Sequence, residues 1–253
     1  MLASLGTAAY AQSDTGLYLY EIDVVGGEAG ILAESSLAID LLAQDPGRLV
    51  QALGETTVSI QSAGVHGIRV TLNGDDHFTG QPDARLTSST WVVDFDQPPV
   101  QSLLQDLRAA SLKGEVVQPS DVTRFTYEQI GDKHYRTGFD IASQVADSLE
   151  GDCTEHAVLN AALMRANGFS ARVVLGVIIV LNEQGATAAG HAWNEIYHDG
   201  GWHIHDATLP MEDPDVRRVF YLPLSSLSDE GPGYAMELLE FAFLRPTKIH
   251  LLE

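Results

Sequence analysis

The spacing of hydrophobic and polar positions changes along the chain, and the changes outline the elements. Residues 17–25, Leu-Tyr-Leu-Tyr-Glu-Ile-Asp-Val-Val, combine partial alternation with β-branched and aromatic side chains and stop at Gly26-Gly27, which predicts a strand. Residues 36–43 carry helical spacing up to Pro46-Gly47, and residues 48–53 read as a short helical continuation. Residues 56–61, 67–72 and 89–95 are β-like, with Asn73-Gly74 as a turn signal. Pro98-Pro99 breaks the pattern, and residues 100–111 place Leu103, Leu104 and Leu107 on one face of a helix.

Residues 114–119 are turn-rich and separate two differently patterned halves, which puts an expected domain boundary near 115. Residues 12–115 are expected to form a smaller mixed α/β domain, and residues 116–253 the main one. In the second half, Ile141, Ala142, Val145 and Leu149 share a helical face that ends at Glu150-Gly151-Asp152. A second helix starts at once: Asp152 or Thr154 can cap it, Glu155 lies in its first turn, and Gly168 follows its end. Residues 171–181 are almost continuously apolar, as a strand buried on both faces would be. Residues 191–198 and 201–206 flank Asp199-Gly200, which predicts a hairpin with a two-residue turn.

Composition narrows the classes. With 253 residues and 45% hydrophobic content the chain can bury a sizeable core, and no apolar run reaches the ~18 residues of a membrane-spanning helix. A formal net charge of -21 argues against a nucleic-acid partner. Ala9-Tyr10-Ala11 has the small-x-small form of a signal-peptidase site but follows no Lys or Arg. Residues 1–11 are accordingly expected to be a truncated signal peptide of an exported protein, the alternative being the ordinary terminus of a cytoplasmic one.

Cys153 is the only cysteine, so no internal disulfide can form. It stands at a predicted helix N-terminus, where amide dipoles favour a thiolate, whereas a core cysteine would more naturally fall among Ala157, Ala161 and Met164. A two-residue turn at Asp199-Gly200 sets Trp193 opposite Asp206, so that His191 shares a face with Asp206 on the diagonal. A three-residue loop would separate them. A capped cysteine, a buried strand and a His/Asp hairpin in that order form the set that nucleophilic thiol chemistry needs.

These residues resemble the bacterial transglutaminase-like proteins of the papain-like superfamily. Gly151-Asp152-Cys153-Thr154-Glu155-His156-Ala157 is similar to their nucleophile motif, residues 168–174 to the strand entry, and Gly190-His191-Ala192-Trp193-Asn194-Glu195 to the histidine motif. Residues 202–208 resemble the aspartate motif, with Ala207 where many relatives have proline. The resemblance spans roughly residues 120 to 250 and implies an α+β fold, with the Cys153 helix packed on an antiparallel sheet bearing His191 and Asp206. It implies attack on an amide carbonyl to give a thioester: Cys153 as nucleophile, His191 as base, Asp206 as its orienter, and the Cys153 backbone N–H as one oxyanion donor. The second donor stays open. Gln144 lies upstream, as an oxyanion glutamine would, but its helical setting predicts a surface residue.

The expected substrate is a peptide or protein, with a peptidase or amidase preferred over a protein transglutaminase, and no cofactor is expected. Trp193 and Trp202 are candidates for a substrate cleft or for sheet packing. Two other classes remain as alternatives. One is a catalytically silent binding module; the other is a zinc protein using Cys153, His156, His191, His203 and His205, against which strand parity argues, because His203 and His205 should face away from Asp206. Asp75-Asp76, Asp94-Phe95-Asp96 and Asp213-Pro214-Asp215 lack EF-hand spacing and read as solvated turns.

Overall fold

A computed structural model describes residues 19–26, 35–64, 67–110, 116–131, 139–182, 185–209, 218–228 and 230–252. Among them the strands are β1 (Tyr20–Val25), β2 (Leu37–Ala43), β3 (Ser59–Gly64), β4 (Gly67–Leu72), β5 (Ser170–Asn182), β6 (Gly185–His198), β7 (Gly201–His205), β8 (Arg218–Ser226) and β9 (Pro246–Leu251). The helices are α1 (Pro46–Leu53), α2 (Pro98–Ala110), α3 (Pro119–Gln129), α4 (Ala142–Ser148), α5 (Cys153–Ala166) and α6 (Ala235–Leu244). The strands are ordered β3-β4-β2-β9-β1-β6-β5-β8, with β7 paired to β6 beside this path. The class is α+β, with the cysteine-bearing helix α5 packed against the antiparallel pair β5–β6.

β1 is the strand that joins the two ends. Tyr20 to Ile22 pair antiparallel with Gly190 to Ala188 of β6, and Asp23 to Val25 pair parallel with Lys248 to His250 of β9. Strands from either side of position 115 therefore alternate in one sheet, and the expected boundary itself lies at 111–115, outside the described residues. Residues 1–18, with the Ala9-Tyr10-Ala11 triplet, also lie outside them.

Three sequence expectations need correction. Residues 37–43 form a strand, β2, rather than a helix: Leu37, Ile39 and Leu41 are buried at a period of two, and Asp40 sits opposite Arg69 of β4, which grips it with two 2.7 Å hydrogen bonds. The run Leu37-Ala38-Ile39-Asp40-Leu41-Leu42 fits both periods, and the neighbouring strands β4 and β9 decide between them. Residues 89–95 form no strand. Val92 and Val93 are buried, but the Val92 amide donates to Glu230 and its carbonyl accepts from Ala142, so the backbone is satisfied outside any ladder. The expected strand at 56–61 begins later, at Ser59, because Thr56 makes an isolated bridge to Phe78.

α5 lies at the centre. Every residue from Cys153 to Arg165 is buried, against β5 and β6 on one side and α2, α3 and α4 on the others. A helix buried all round must satisfy its polar side chains internally. Asn160 donates to Asn194 of β6 (2.8 Å) and accepts from Thr126 of α3 (3.2 Å), and Asn194 donates to the Ala157 carbonyl (2.9 Å). Arg165 closes the other end, forming two 2.7 Å bonds with Glu230 and another with the Ala171 carbonyl. These contacts fix the height and rotation of α5 over β6.

Candidate active site

Gly151 has φ +150, and a Cβ there would lie 2.3 Å from the Glu155 Cβ, so the turn into α5 is built around a missing side chain. Asp152 is the N-cap. Its Oδ1 accepts from the Thr154 amide at 2.9 Å and the Thr154 hydroxyl at 2.8 Å, while Glu155 reaches back to the Asp152 amide at 2.9 Å. This reciprocal capping box makes Cys153 the first residue of the helix. The Cys153 side chain is fully buried against β6, where the Ala192 N–H hydrogen-bonds the sulfur.

His191 and Asp206 meet as the hairpin register requires. Asp199 (φ 51) and Gly200 (φ 84) form the two-residue turn, His198 pairs with Gly201, and the ladder runs to Asn194 opposite His205. His191 Nε2 lies 2.8 Å from Asp206 Oδ2. The sequence puts Gly176 opposite His191 on β5, and there a Cβ would fall 2.5 Å from the Trp193 ring and 2.2 Å from the Leu222 carbonyl. Gly176 thus lets Trp193 lie flat over the sheet beside His191, with ring centroids 6.3 Å apart.

Asp206 is held on every side. The Thr208 amide donates to Oδ1 at 2.9 Å and the Thr208 hydroxyl to the same atom, while the Tyr221 hydroxyl of β8 donates to Oδ2 at 3.0 Å. Burial alone would push this carboxyl up, but His191 beside it and the two Thr208 donors keep it below the ordinary carboxylate value. The Asp206-Ala207-Thr208 spacing was a legible side-chain turn signal for Thr208. Tyr221 had none, because it comes from a strand that only the sheet order brings near. Tyr20 is similar: its ring lies where a Cβ on Gly190 would be, 2.2 Å away, so β1 covers the residue before His191.

The thiol departs from expectation. Burial pushes Cys153 well above the usual thiol value, the Asp152 charge adds to that, and the Ala192 N–H pulls the other way. Desolvation in this closed arrangement outweighs the helix terminus that predicted a depressed value. Asp152 is itself raised, from 3.8 to about 7, by burial and then by the charge of Glu155.

His191 and Asp206 meet at 2.8 Å, and the Cys153 sulfur lies against the neighbouring Ala192 N–H of β6, within the influence of the Asp206 charge; the other candidates lie apart. Trp193 is fully buried and packs on Tyr221 with ring centroids 5.0 Å apart. Trp202 is 7% exposed; its indole N–H donates to the Gly80 carbonyl, and the Arg172 guanidinium stacks on it at 3.8 Å. Both tryptophans pack within the sheet, and neither offers a ring face to a cleft. Gln144 is exposed on α4. His203 and His205 lie on the opposite face of the hairpin from His191, as parity predicted, and no group of three metal-ligating side chains converges among the described residues. Asp76 and Asp94 are not solvated turns: Asp76 accepts from Thr57 and the Asn73 amide, and Asp94 from the amide and hydroxyl of Ser143.

Residues 111–207 match the family model of the transglutaminase-like superfamily, a span that contains Cys153, His191 and Asp206. This chain carries a transglutaminase-like domain. The match sorts it broadly with cysteine-based enzymes. No curated protein matches the chain by sequence. Among solved structures, the transglutaminase-like chain is similar to a Cytophaga hutchinsonii protein provisionally described as a cysteine protease. Identity there is 15%, the match covers 76% of this chain and 78% of that one, and the TM-score is 0.44. It is also similar to the periplasmic domain of TgpA from Pseudomonas aeruginosa (19% identity, 77% and 82% covered, TM-score 0.41). A third is Legionella pneumophila LapG (16% identity, 56% and 82% covered, TM-score 0.35). No helix among the described residues is long and apolar enough to cross a membrane.

Proposed function

We propose that the chain is a cysteine-dependent acyl-transfer enzyme acting on amide or peptide bonds through a thioester on Cys153. The observation that carries this reading is the 2.8 Å contact between His191 Nε2 and the fourfold-held Asp206, formed beside the strand residue whose amide meets the Cys153 sulfur. Because Nε2 is committed to Asp206, Nδ1 is the ring atom that takes the thiol proton. Sulfur then attacks the amide carbonyl, the Cys153 N–H stabilises the developing oxyanion, and Nδ1–H returns the proton to the leaving amine. Water as the acceptor gives a peptidase or amidase, the preferred reading; an amine as the acceptor gives a transglutaminase. Export of the protein, inferred from Ala9-Tyr10-Ala11, belongs to this proposal and would set it to work on peptides or wall fragments outside the cytoplasm.

The complete burial of Cys153 is the one feature that favours a silent binding module instead. Incubation with libraries of peptides and wall fragments, followed by intact-mass and peptide mass spectrometry, separates the two. An acyl adduct on Cys153 that is absent in Cys153→Ala and slowed at least about a hundredfold in His191→Ala supports the enzyme. Stable binding of a ligand with no adduct under any acceptor condition would establish the silent module.

A further inference from the structure

The face of the β6–β7 hairpin turned away from His191 carries three histidines that the proposed chemistry does not use. His198 and His203 stack with ring centroids 4.1 Å apart, and His205 meets His198 tip to tip, Nε2 to Nε2 at 3.3 Å. The Nδ1 atoms of His198 and His205 also have neighbours. The Thr123 hydroxyl of α3 lies 3.0 Å from both the Pro119 carbonyl and His205 Nδ1, and while it donates to the carbonyl it accepts from Nδ1. His198 Nδ1 lies 3.0 Å from Asp199 Oδ2, a carboxylate that accepts from it. In the tautomer in which both Nδ1 atoms donate, both Nε2 atoms present lone pairs 3.3 Å apart, a pair that one metal ion can bind.

The dimensions suit a metal. Two imidazole nitrogens bound to one ion at ~2.05 Å with a tetrahedral angle are ~3.3 Å apart, since the chord is twice the bond length times the sine of half the angle. Metal-bound histidines almost always donate their second ring N–H to a carboxylate or another fixed acceptor, the part that Asp199 and Thr123 play here. Both rings are partly exposed, so waters can complete the coordination.

We propose that His198 and His205 form a two-histidine site for a borderline divalent transition metal of the zinc type, which fastens the far end of the hairpin that presents His191 and Asp206. Imidazole ligands suit Zn²⁺, Cu²⁺ and Ni²⁺, whereas hard cations such as Ca²⁺ and Mg²⁺ prefer oxygen. The site needs no property of Cys153, and its failure would leave the thioester proposal untouched.

The test is calorimetric titration of the full chain with Zn²⁺, carried out in Cys153→Ala so that the thiol contributes nothing. We expect about one saturable equivalent per chain and a melting temperature raised by about 5 °C at saturation. His198→Ala removes a partly exposed ring and should weaken binding by about tenfold or more; His205→Ala should do the same, and His203→Ala should keep it. If His205→Ala does not fold by circular dichroism, His198→Ala decides. No saturable binding in Cys153→Ala, or binding that survives His198→Ala unchanged, would overturn the proposal.

Discussion

Asp152 offers the sharpest test of how the Cys153 thiol, the proposed nucleophile, is set. It is buried beside Cys153, faces the charge of Glu155, and has a pKa raised from 3.8 to about 7. A carboxyl that holds its proton more tightly when folded contributes stability fully present below its unfolded value, and that contribution is lost as pH rises through the folded one. The full shift corresponds to about 4 kcal/mol, at about 1.36 kcal/mol per unit, and the part falling between about pH 5 and about pH 8 is roughly 2.6 kcal/mol. Asp152→Asn removes the charge and keeps the cap, because the amide oxygen can accept from the Thr154 N–H and asparagine caps helices as well as aspartate does. The –NH₂ group then faces the Glu155 carboxylate with a donor rather than a second charge. Urea unfolding at the two pH values should show the wild type losing about 2 kcal/mol or more over that interval from this group, and Asp152→Asn losing correspondingly less. The same substitution removes the second-largest influence raising the Cys153 thiol, so iodoacetamide should label Asp152→Asn several-fold faster near neutral pH. Equal pH slopes for the two proteins, together with unchanged labelling rates, would refute the reasoning.

Two further substitutions probe the support of the triad. Tyr221→Phe keeps the ring that packs on Trp193 and deletes one donor to the Asp206 carboxylate, a loss of about 1.5 kcal/mol. Acyl-adduct formation on Cys153 should fall about tenfold while the melting temperature moves by only a few degrees, and an unchanged rate would remove Tyr221 from the account. Gly176→Ala places a methyl 2.2 Å from the Leu222 carbonyl and 2.5 Å from Trp193, which should cost about 1–3 kcal/mol and be seen as a lower urea midpoint with an unchanged slope.

The hairpin was legible because its information is local. Asp199-Gly200 fixes the turn, the turn fixes the register, and the two-residue period then places His191 beside Asp206 without reference to anything else in the chain. The cap of α5 was legible for the same reason, since Asp152 and Glu155 act on amides within one turn of Cys153. Where the local signal was double, it failed. The Leu-Ala-Ile-Asp-Leu-Leu run of β2 satisfies a helical and a strand period alike, and only its pairing with Arg69 on β4 and with β9 settles the choice.

The amino-acid sequence by itself therefore determined the position of Cys153 at the start of α5, the His/Asp register and the all-round burial of β5, because each follows from contacts a few residues long. Tertiary structure alone decided what surrounds them. It brought Tyr221 of β8 onto Asp206, laid Tyr20 of β1 over Gly190 and turned Trp193 and Trp202 into packing. It also raised the Cys153 thiol instead of lowering it, since desolvation depends on how many elements close over a group, and no local pattern counts them.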